Sequence, residues 1–311
     1  MNKSKFRGAW PVLLTPFGDD NKIDFAAYRE ILAWYIQQGV DGLFANALSS
    51  EMFHLSDDER LGLIREAVNV ANGRVPVVAT GTFGESLEAH VNFCHRVADT
   101  GVDAVILLMP TFYETDGELE RYYLTITERL QDVELGLYEC PVPRRRLLGP
   151  SLVGKLARTG RFGPFKETSC DLETIECKVQ AAKGTPMAIL QANTPYLLKA
   201  IQLGASGIMG LSVNVVPEVV AEAVRRTLHG DFGPGTQRLH ALACEVDLIL
   251  RAAHPPISKY MLSLRGLPIS PRSRAVSDDL SSEWRYGIEK AMRRILEVAS
   301  EPLHEMQHPS G

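Results

Sequence analysis

Long hydrophobic runs are missing from this 311-residue chain. None approaches the ~18 apolar residues that a membrane-spanning helix needs, so no association with a membrane is expected. The opening, Met1-Asn2-Lys3-Ser4-Lys5-Phe6-Arg7, carries basic residues with no apolar segment behind them, which does not fit a secretion signal. Cysteine is scarce. The five thiols (Cys94, Cys140, Cys170, Cys177 and Cys244) are odd in number and include no CxxC pair. A disulfide framework is therefore not expected, and reduced thiols in a cytoplasm are. The eight histidines form neither HxH nor HExxH, so no metal site is expected. Positive charge is not in excess: the formal net charge is −5 and no segment forms a basic stripe, which leaves no footprint for nucleic acid. There is no GxGxxG dinucleotide fingerprint, Gly81-Thr82-Phe83-Gly84 having the wrong spacing, and no GxxxxGK[ST] phosphate loop.

What the chain has is rhythm. Apolar runs at 9–17, 42–47, 75–81, 104–109, 134–141, 162–166, 187–192 and 207–212 read as strands. The run 104–109 is apolar without alternation, which suits a parallel strand covered on both faces. Helix starts stand between the runs. Asp24 and Asp171 are N-caps; Ser56 to Glu59, Thr82 to Glu85 and Thr115 to Glu118 are capping boxes; Pro150, Pro195 and Pro217 sit at first helical turns. Eight such units predict an α/β fold, a closed (β/α)8 TIM barrel over 1–230. Residues 231–311 read as a C-terminal helical extension packed on the barrel, an appendage rather than a second domain. Leu239, Leu242, Val246 and Ile249 have helical spacing, as do Trp284, Ile288, Met292 and Ile295. Pro255-Pro256, Pro268 and Pro271 break the chain between them, and 304–311 look frayed.

In such a barrel the working side chains project from the C-terminal ends of the strands. That rule selects Leu48, Ser49, Ser50 and Glu51 after strand two, Phe112 and Tyr113 after strand four, and Tyr138 on strand five. It also selects Lys166 on strand six, Asn193 and Thr194 after strand seven, and Gly210, Ser212 and Asn214 on or after strand eight. Lys166 is the centre of the list. Burying an unpaired ammonium is costly, and a desolvated lysine responds by losing its proton. The neutral amine is a nucleophile that forms a Schiff base with a 2-oxo acid. The plainer alternative is a strand-end lysine with its head group in water, paired with Glu167. Tyr138 is either the proton carrier that such chemistry needs or a core aromatic. Ser49 and Ser50, with nearby backbone N–H groups, either hold a carboxylate or serve the turn. Glu139 points to the opposite face of its strand and reads as structural. Arg144-Arg145-Arg146 is either a solvated loop or, through Arg144, a clamp for the distal carboxylate of an acidic substrate.

Tyr138-x-x-Pro141, then Phe165-Lys166-Glu167-Thr168-Ser169, then Gly204-Ala205-x-Gly207-Ile208-x-x-x-Ser212-Val213-Asn214-Val215 resemble the N-acetylneuraminate lyase/dihydrodipicolinate synthase family of class I aldolases. The segments 8–17 and 39–43 match as well, and the resemblance runs over nearly the whole chain. It implies a barrel with a C-terminal helical bundle, assembled as a homotetramer or dimer. It implies that Lys166 condenses with pyruvate or another 2-oxo acid, that Tyr138 shuttles protons, and that Ser49 with its loop holds the carboxylate. The chain also departs from the pattern. The family loop reads Gly-[Thr/Ser]-Thr-Gly-Glu where this one reads Ala47-Leu48-Ser49-Ser50-Glu51, so Leu48 replaces a relay hydroxyl. Phe112 falls where synthases place a second tyrosine, reaching in from a neighbouring subunit; Tyr113 is one place over. Pro143 stands at the position of a synthase arginine.

These readings lead to a Schiff-base-forming lyase of 2-oxo acids, most simply a pyruvate aldolase and not the lysine-pathway synthase. Sugar-acid dehydratases, which act on 2-oxo-3-deoxy acids, use the same lysine and remain the alternative. The iminium serves as the electron sink, so no metal or organic cofactor is expected, and Asn193, Thr194, Gly210 and Ser212 would line the rest of the pocket. The absent hydroxyl at Leu48 keeps a catalytically silent sugar-acid-binding barrel open as a reading of another class. A metal-dependent barrel hydrolase gains little from the histidine placement.

Overall fold

A computed structural model describes residues 5–300 of the chain; the expected frayed end at 304–311 lies outside the described residues. Eight short strands follow one another: β1 (Gly8–Pro11), β2 (Leu43–Ala45), β3 (Val77–Thr80), β4 (Ala104–Leu108), β5 (Leu135–Tyr138), β6 (Phe162–Glu167), β7 (Ala188–Gln191) and β8 (Gly207–Gly210). Between them run α1 (Phe25–Gln37), α2 (Asp57–Ala71), α3 (Leu87–Ala98), α4 (Asp116–Arg129), α5 (Pro150–Arg158), α6 (Leu172–Ala182) and α7 (Leu197–Gln202). After β8 come α8 (Leu211–Val215), α9 (Pro217–Leu228), α10 (Pro234–Leu250), α11 (Pro256–Leu264) and α12 (Ser282–Ser300). Every named pairing is parallel, in the order β1-β8-β7-β6-β5-β4-β3-β2. A bridge between Val12 and Phe44 joins β1 to β2 and closes the ring. The (β/α)8 TIM barrel is therefore the fold, with the C-terminal helices added. No helix among the described residues is long and apolar enough to cross a membrane.

The helix starts follow local chemistry. Asp24, Ser56, Thr115 and Asp171 accept the expected backbone N–H groups, and Ser56 with Glu59 and Thr115 with Glu118 form complete capping boxes. The box expected at Thr82 to Glu85 does not form. Thr82 Oγ1 accepts the Leu108 backbone N–H at 2.8 Å, so it is held by the neighbouring strand, and Ser86 caps α3 instead. Strand eight is also shorter than expected: it ends at Gly210, and the chain turns at once into α8, which carries Ser212 and Asn214.

The extension differs most from expectation. Pro255-Pro256 does more than interrupt it, because Pro256 opens α11, where a missing N–H costs nothing. That helix is buried along most of its length, from Pro256 to Leu262. It brings the stretch 251–259 against the loop after β2, at the end of the barrel where the strands finish.

Candidate active site

Lys166 and Tyr138 are register partners on adjacent parallel strands, so they stand side by side at one depth. Lys166 is 6 % exposed and Tyr138 is 3 % exposed. The amine lies 4.3 Å from the centre of the Tyr138 ring and 5.4 Å from that of Phe44. Burial pulls the Lys166 ammonium down to about 7, with only the nearby Cys140 thiol acting in the other direction. Burial also holds the Tyr138 phenol well above its ordinary range, and the adjoining Cys140 thiol adds to this, so the phenol keeps its proton at neutral pH. An amine drawn toward its neutral form, packed on the ring of a phenol that keeps its proton, suits carbinolamine chemistry.

Glu167 does not pair with Lys166. It points to the other face of β6, where Lys178 from α6 reaches both Glu167 Oε1 at 2.9 Å and Glu139 Oε1 at 2.7 Å. All three side chains are fully buried. The two carboxylates accept further bonds from the backbone N–H groups of Leu148, Thr168 and Ser169 and from Gln191 Nε2. The network thus ties together the ends of β5, β6 and β7 on the outer side of the sheet, away from Lys166 on the inner side.

A cavity of about 290 Å3 opens above the amine. Its wall includes Leu48, Ser49, Tyr138, Lys166, Asn193 and Gly210 from the expected set. Other expected residues stand elsewhere. Ser50 locks the loop: its hydroxyl donates to Leu13 O at 2.5 Å and accepts the Ala47 N–H at 3.1 Å. Thr194 and Ser212 bond each other at 2.8 Å, and Thr194 also donates to Asp247 at 3.0 Å; neither lines the cavity. Arg144 forms a forked pair with Glu114 at 2.7 and 2.8 Å and lines a neighbouring cavity of about 340 Å3. Phe112 packs among His90, Tyr113 and Tyr122.

Several cavity residues escaped the sequence reading. Arg145, not Arg144, is the arginine of its run that lines the wall, its Nη2 bonded to the carbonyls of Thr168 and Ser169. Its two neighbours are each engaged with a carboxylate, Glu114 and Asp116. Arg251 and His254 come from the extension. Arg251 pairs with Asp247 at 2.6 Å and donates to Asn193 Oδ1 at 3.0 Å. His254 Nε2 lies 2.9 Å from Ser49 Oγ. The one available signal was a histidine beside two prolines at a break between helices, which does not indicate where it folds back. Glu51, in a left-handed backbone conformation with φ 59°, turns its buried carboxylate onto Lys259 at 2.5 Å.

The Dihydrodipicolinate synthetase family model matches residues 5–295. The chain belongs to that family. Class I aldolase-type lyases make up this family, so the protein is an enzyme of that kind. Curated family members include 4-hydroxy-tetrahydrodipicolinate synthases from Koribacter versatilis, 27% identical over 90% of this chain and 96% of that one, and from Methanocaldococcus jannaschii, 28% identical over 93% and 99%. A solved dihydrodipicolinate synthase superposes with a TM-score of 0.83 at 26% identity, covering 94% of this chain and 99% of its own. A prophage protein of the family from E. coli K12, solved with pyruvate, shares the fold with a TM-score of 0.85 at 21% identity over 94% and 99%.

Proposed function

We propose that this family member forms a Schiff base between Lys166 and pyruvate or another 2-oxo acid, and that it breaks or makes a bond in the part of the substrate beyond C3. The observation that carries the reading is the buried amine packed on Tyr138 in the wall of a cavity, its ammonium drawn down to about 7 by burial. The Lys166 lone pair attacks the C2 carbonyl. The carbinolamine oxygen takes the Tyr138 proton and leaves as water. The resulting iminium accepts the electron pair of the C3–C4 bond in aldol cleavage, or of the C3–H bond in dehydration, where the enamine so formed expels the C4 hydroxyl. The Tyr138 phenolate takes up the proton of the C4 hydroxyl in the first case, and in the second the C3 proton, which it returns to the leaving hydroxyl. The electron sink is made from the substrate and lysine themselves, so the scheme needs neither metal nor organic cofactor. Ser49, on the cavity wall, serves the substrate carboxylate.

The distal half of the substrate is acidic in this reading. Among the described residues Arg145 and Arg251 both line the wall and no Asp or Glu does, and the partners of Arg145 there are carbonyls. A guanidinium on a cavity wall engaged only by neutral groups among the described residues matches a carboxylate. Leu48, Phe112 and Pro143 leave the synthase relay without its hydroxyls and its arginine. We therefore assign the chain to acid-bearing aldehydes or 2-oxo-3-deoxy sugar acids, by aldol cleavage or dehydration, and not to the lysine pathway. Replacing Arg145 by alanine is expected to raise KM about 10-fold for a substrate with a terminal carboxylate and to leave its uncharged analogue within about 2-fold. Equal effects on both would remove the acidic assignment.

Borohydride reduction in the presence of pyruvate, followed by peptide mass analysis, tests the whole proposal: the adduct is expected on Lys166, and its absence defeats the reading. Turnover is then followed over a panel of 2-oxo-3-deoxy sugar acids. Thermal stabilisation by one of them without turnover would favour a silent binding barrel, for which the missing hydroxyl at Leu48 is the supporting observation.

A further inference from the structure

Ser49 is held from the far end of the chain. His254 lies in the turn between α10 and α11 and forms part of the cavity wall that Lys166 also lines. Its Nε2 is 2.9 Å from Ser49 Oγ and its Nδ1 is 2.7 Å from Ser258 Oγ. Ser258 is fully buried on α11, and the next residue, Lys259, grips Glu51 two places after Ser49. One helix of the extension therefore fastens the loop after β2 at two points, but only the contact through His254 ends on a cavity hydroxyl.

We propose that His254 is a positioning residue: it fixes Ser49 Oγ so that the serine proton is offered to the carboxylate of the bound 2-oxo acid. This inference rests on the Schiff-base reading above. A hydroxyl has one proton to give. With the ring proton on Nε2, His254 donates to Ser49, and the serine proton is left for the substrate. Ser258 then donates to the bare Nδ1, completing a chain of donors that runs from α11 toward the anion. With the other tautomer, Ser49 would spend its proton on the ring and turn lone pairs toward the carboxylate. A bound anion thus selects the first arrangement. The ring is neutral throughout the working range, because burial, with Lys166 and Lys259 nearby, pushes the imidazole down to about 3.

The test uses pyruvate and borohydride trapping on the full chain, reading separately the half-saturating pyruvate concentration and the limiting trapping rate. His254→Phe is expected to raise the half-saturating concentration about 10-fold while the limiting rate stays within about 3-fold. His254→Gln, whose amide nitrogen reaches toward the Nε2 position, is expected to recover most of the loss. In a Ser49→Ala background, His254→Phe is expected to add less than about 2-fold, because the two act through one contact. Should His254→Phe fail to fold, Ser258→Ala, which keeps the ring and removes its donor, carries the test with an expected rise of about 3-fold. An unchanged half-saturating concentration, additive effects with Ser49→Ala, or a glutamine variant no better than phenylalanine would each overturn the inference. No trapping in the unsubstituted protein would overturn the Schiff-base reading and this one with it. Trapping that is normal and indifferent to His254 would overturn this one alone.

Discussion

Lys166→Met is expected to lose the trappable pyruvate adduct entirely, to lower turnover by about 10^4-fold or more, and yet to make the protein more stable. In the proposed scheme Lys166 has no substitute on the cavity wall among the described residues: the other cations there are Arg145 and Arg251, whose guanidinium groups stay protonated in proteins. The gain in stability follows from the same burial that makes the amine reactive. An ordinary lysine titrates at 10.5, and this one at about 7 in the folded protein. Between those values the unfolded chain carries a proton that the folded protein has shed. Stability contributed by this group therefore rises with pH across the window and is lost as pH falls toward 7. Near pH 7 the cost is on the order of 2–4 kcal/mol, which a methionine of similar length removes. Thermal scans should show the variant ~5 °C above the parent at neutral pH, with the gap closing toward the ordinary lysine value. Trapping by the unsubstituted protein should slow as pH drops below about 7, where the amine is protonated. A variant no more stable than its parent at any pH would mean that Lys166 is solvated in solution.

Lys178→Met is expected to be the most destabilising single change near the site, by roughly 3–5 kcal/mol. It leaves Glu139 and Glu167 facing each other, fully buried, without their cation. Burial already raises Glu139, with Lys178 the main influence restraining it. In the variant one carboxyl would hold its proton to higher pH than in the unfolded chain. A raised carboxyl stabilises below its unfolded value and stops doing so as pH climbs through the folded one, so the loss should be greater at pH 8 than at pH 5. Urea titrations at the two pH values measure this. Glu139→Gln in the same chain should restore part of the stability, because it removes one of the opposed charges. Substrate affinity should fall too: Thr168 and Ser169, whose N–H groups the carboxylates hold, supply the carbonyls that aim Arg145. Equal losses at both pH values would indicate that the network is held by its neutral hydrogen bonds alone.

The barrel was legible in the chain because each strand–helix unit declares itself locally. Asp24, Ser56, Thr115 and Asp171 cap helices through contacts within a few residues, and such contacts survive translation from sequence to structure. The Thr82 box failed because a backbone N–H on β4 competed for its hydroxyl, and nothing near residue 82 in the chain announces that neighbour. The same distinction divides the site. Lys166, Tyr138, Ser49, Leu48, Asn193 and Gly210 reach the cavity because strand ends in a barrel converge. Thr194 and Ser212 satisfy the same rule of position, yet they turn aside to each other and to Asp247.

By itself, then, the order of residues determined the closed barrel, the lysine–tyrosine pair on adjacent strands and the separation of Glu139 from Tyr138 by strand alternation. All of these follow from periods of two and of 3.6 residues and from short-range caps. Only the tertiary structure decided which arginine of three faces the cavity, where Lys178 finds its two carboxylates, and that the C-terminal extension is part of the site. Those choices depend on side chains far apart in sequence, such as Ser49 and His254 or Glu51 and Lys259, whose contacts are selected by burial and by the need to pair every buried polar group. No local pattern records such partners, because the energy that selects them exists only once the helices have packed.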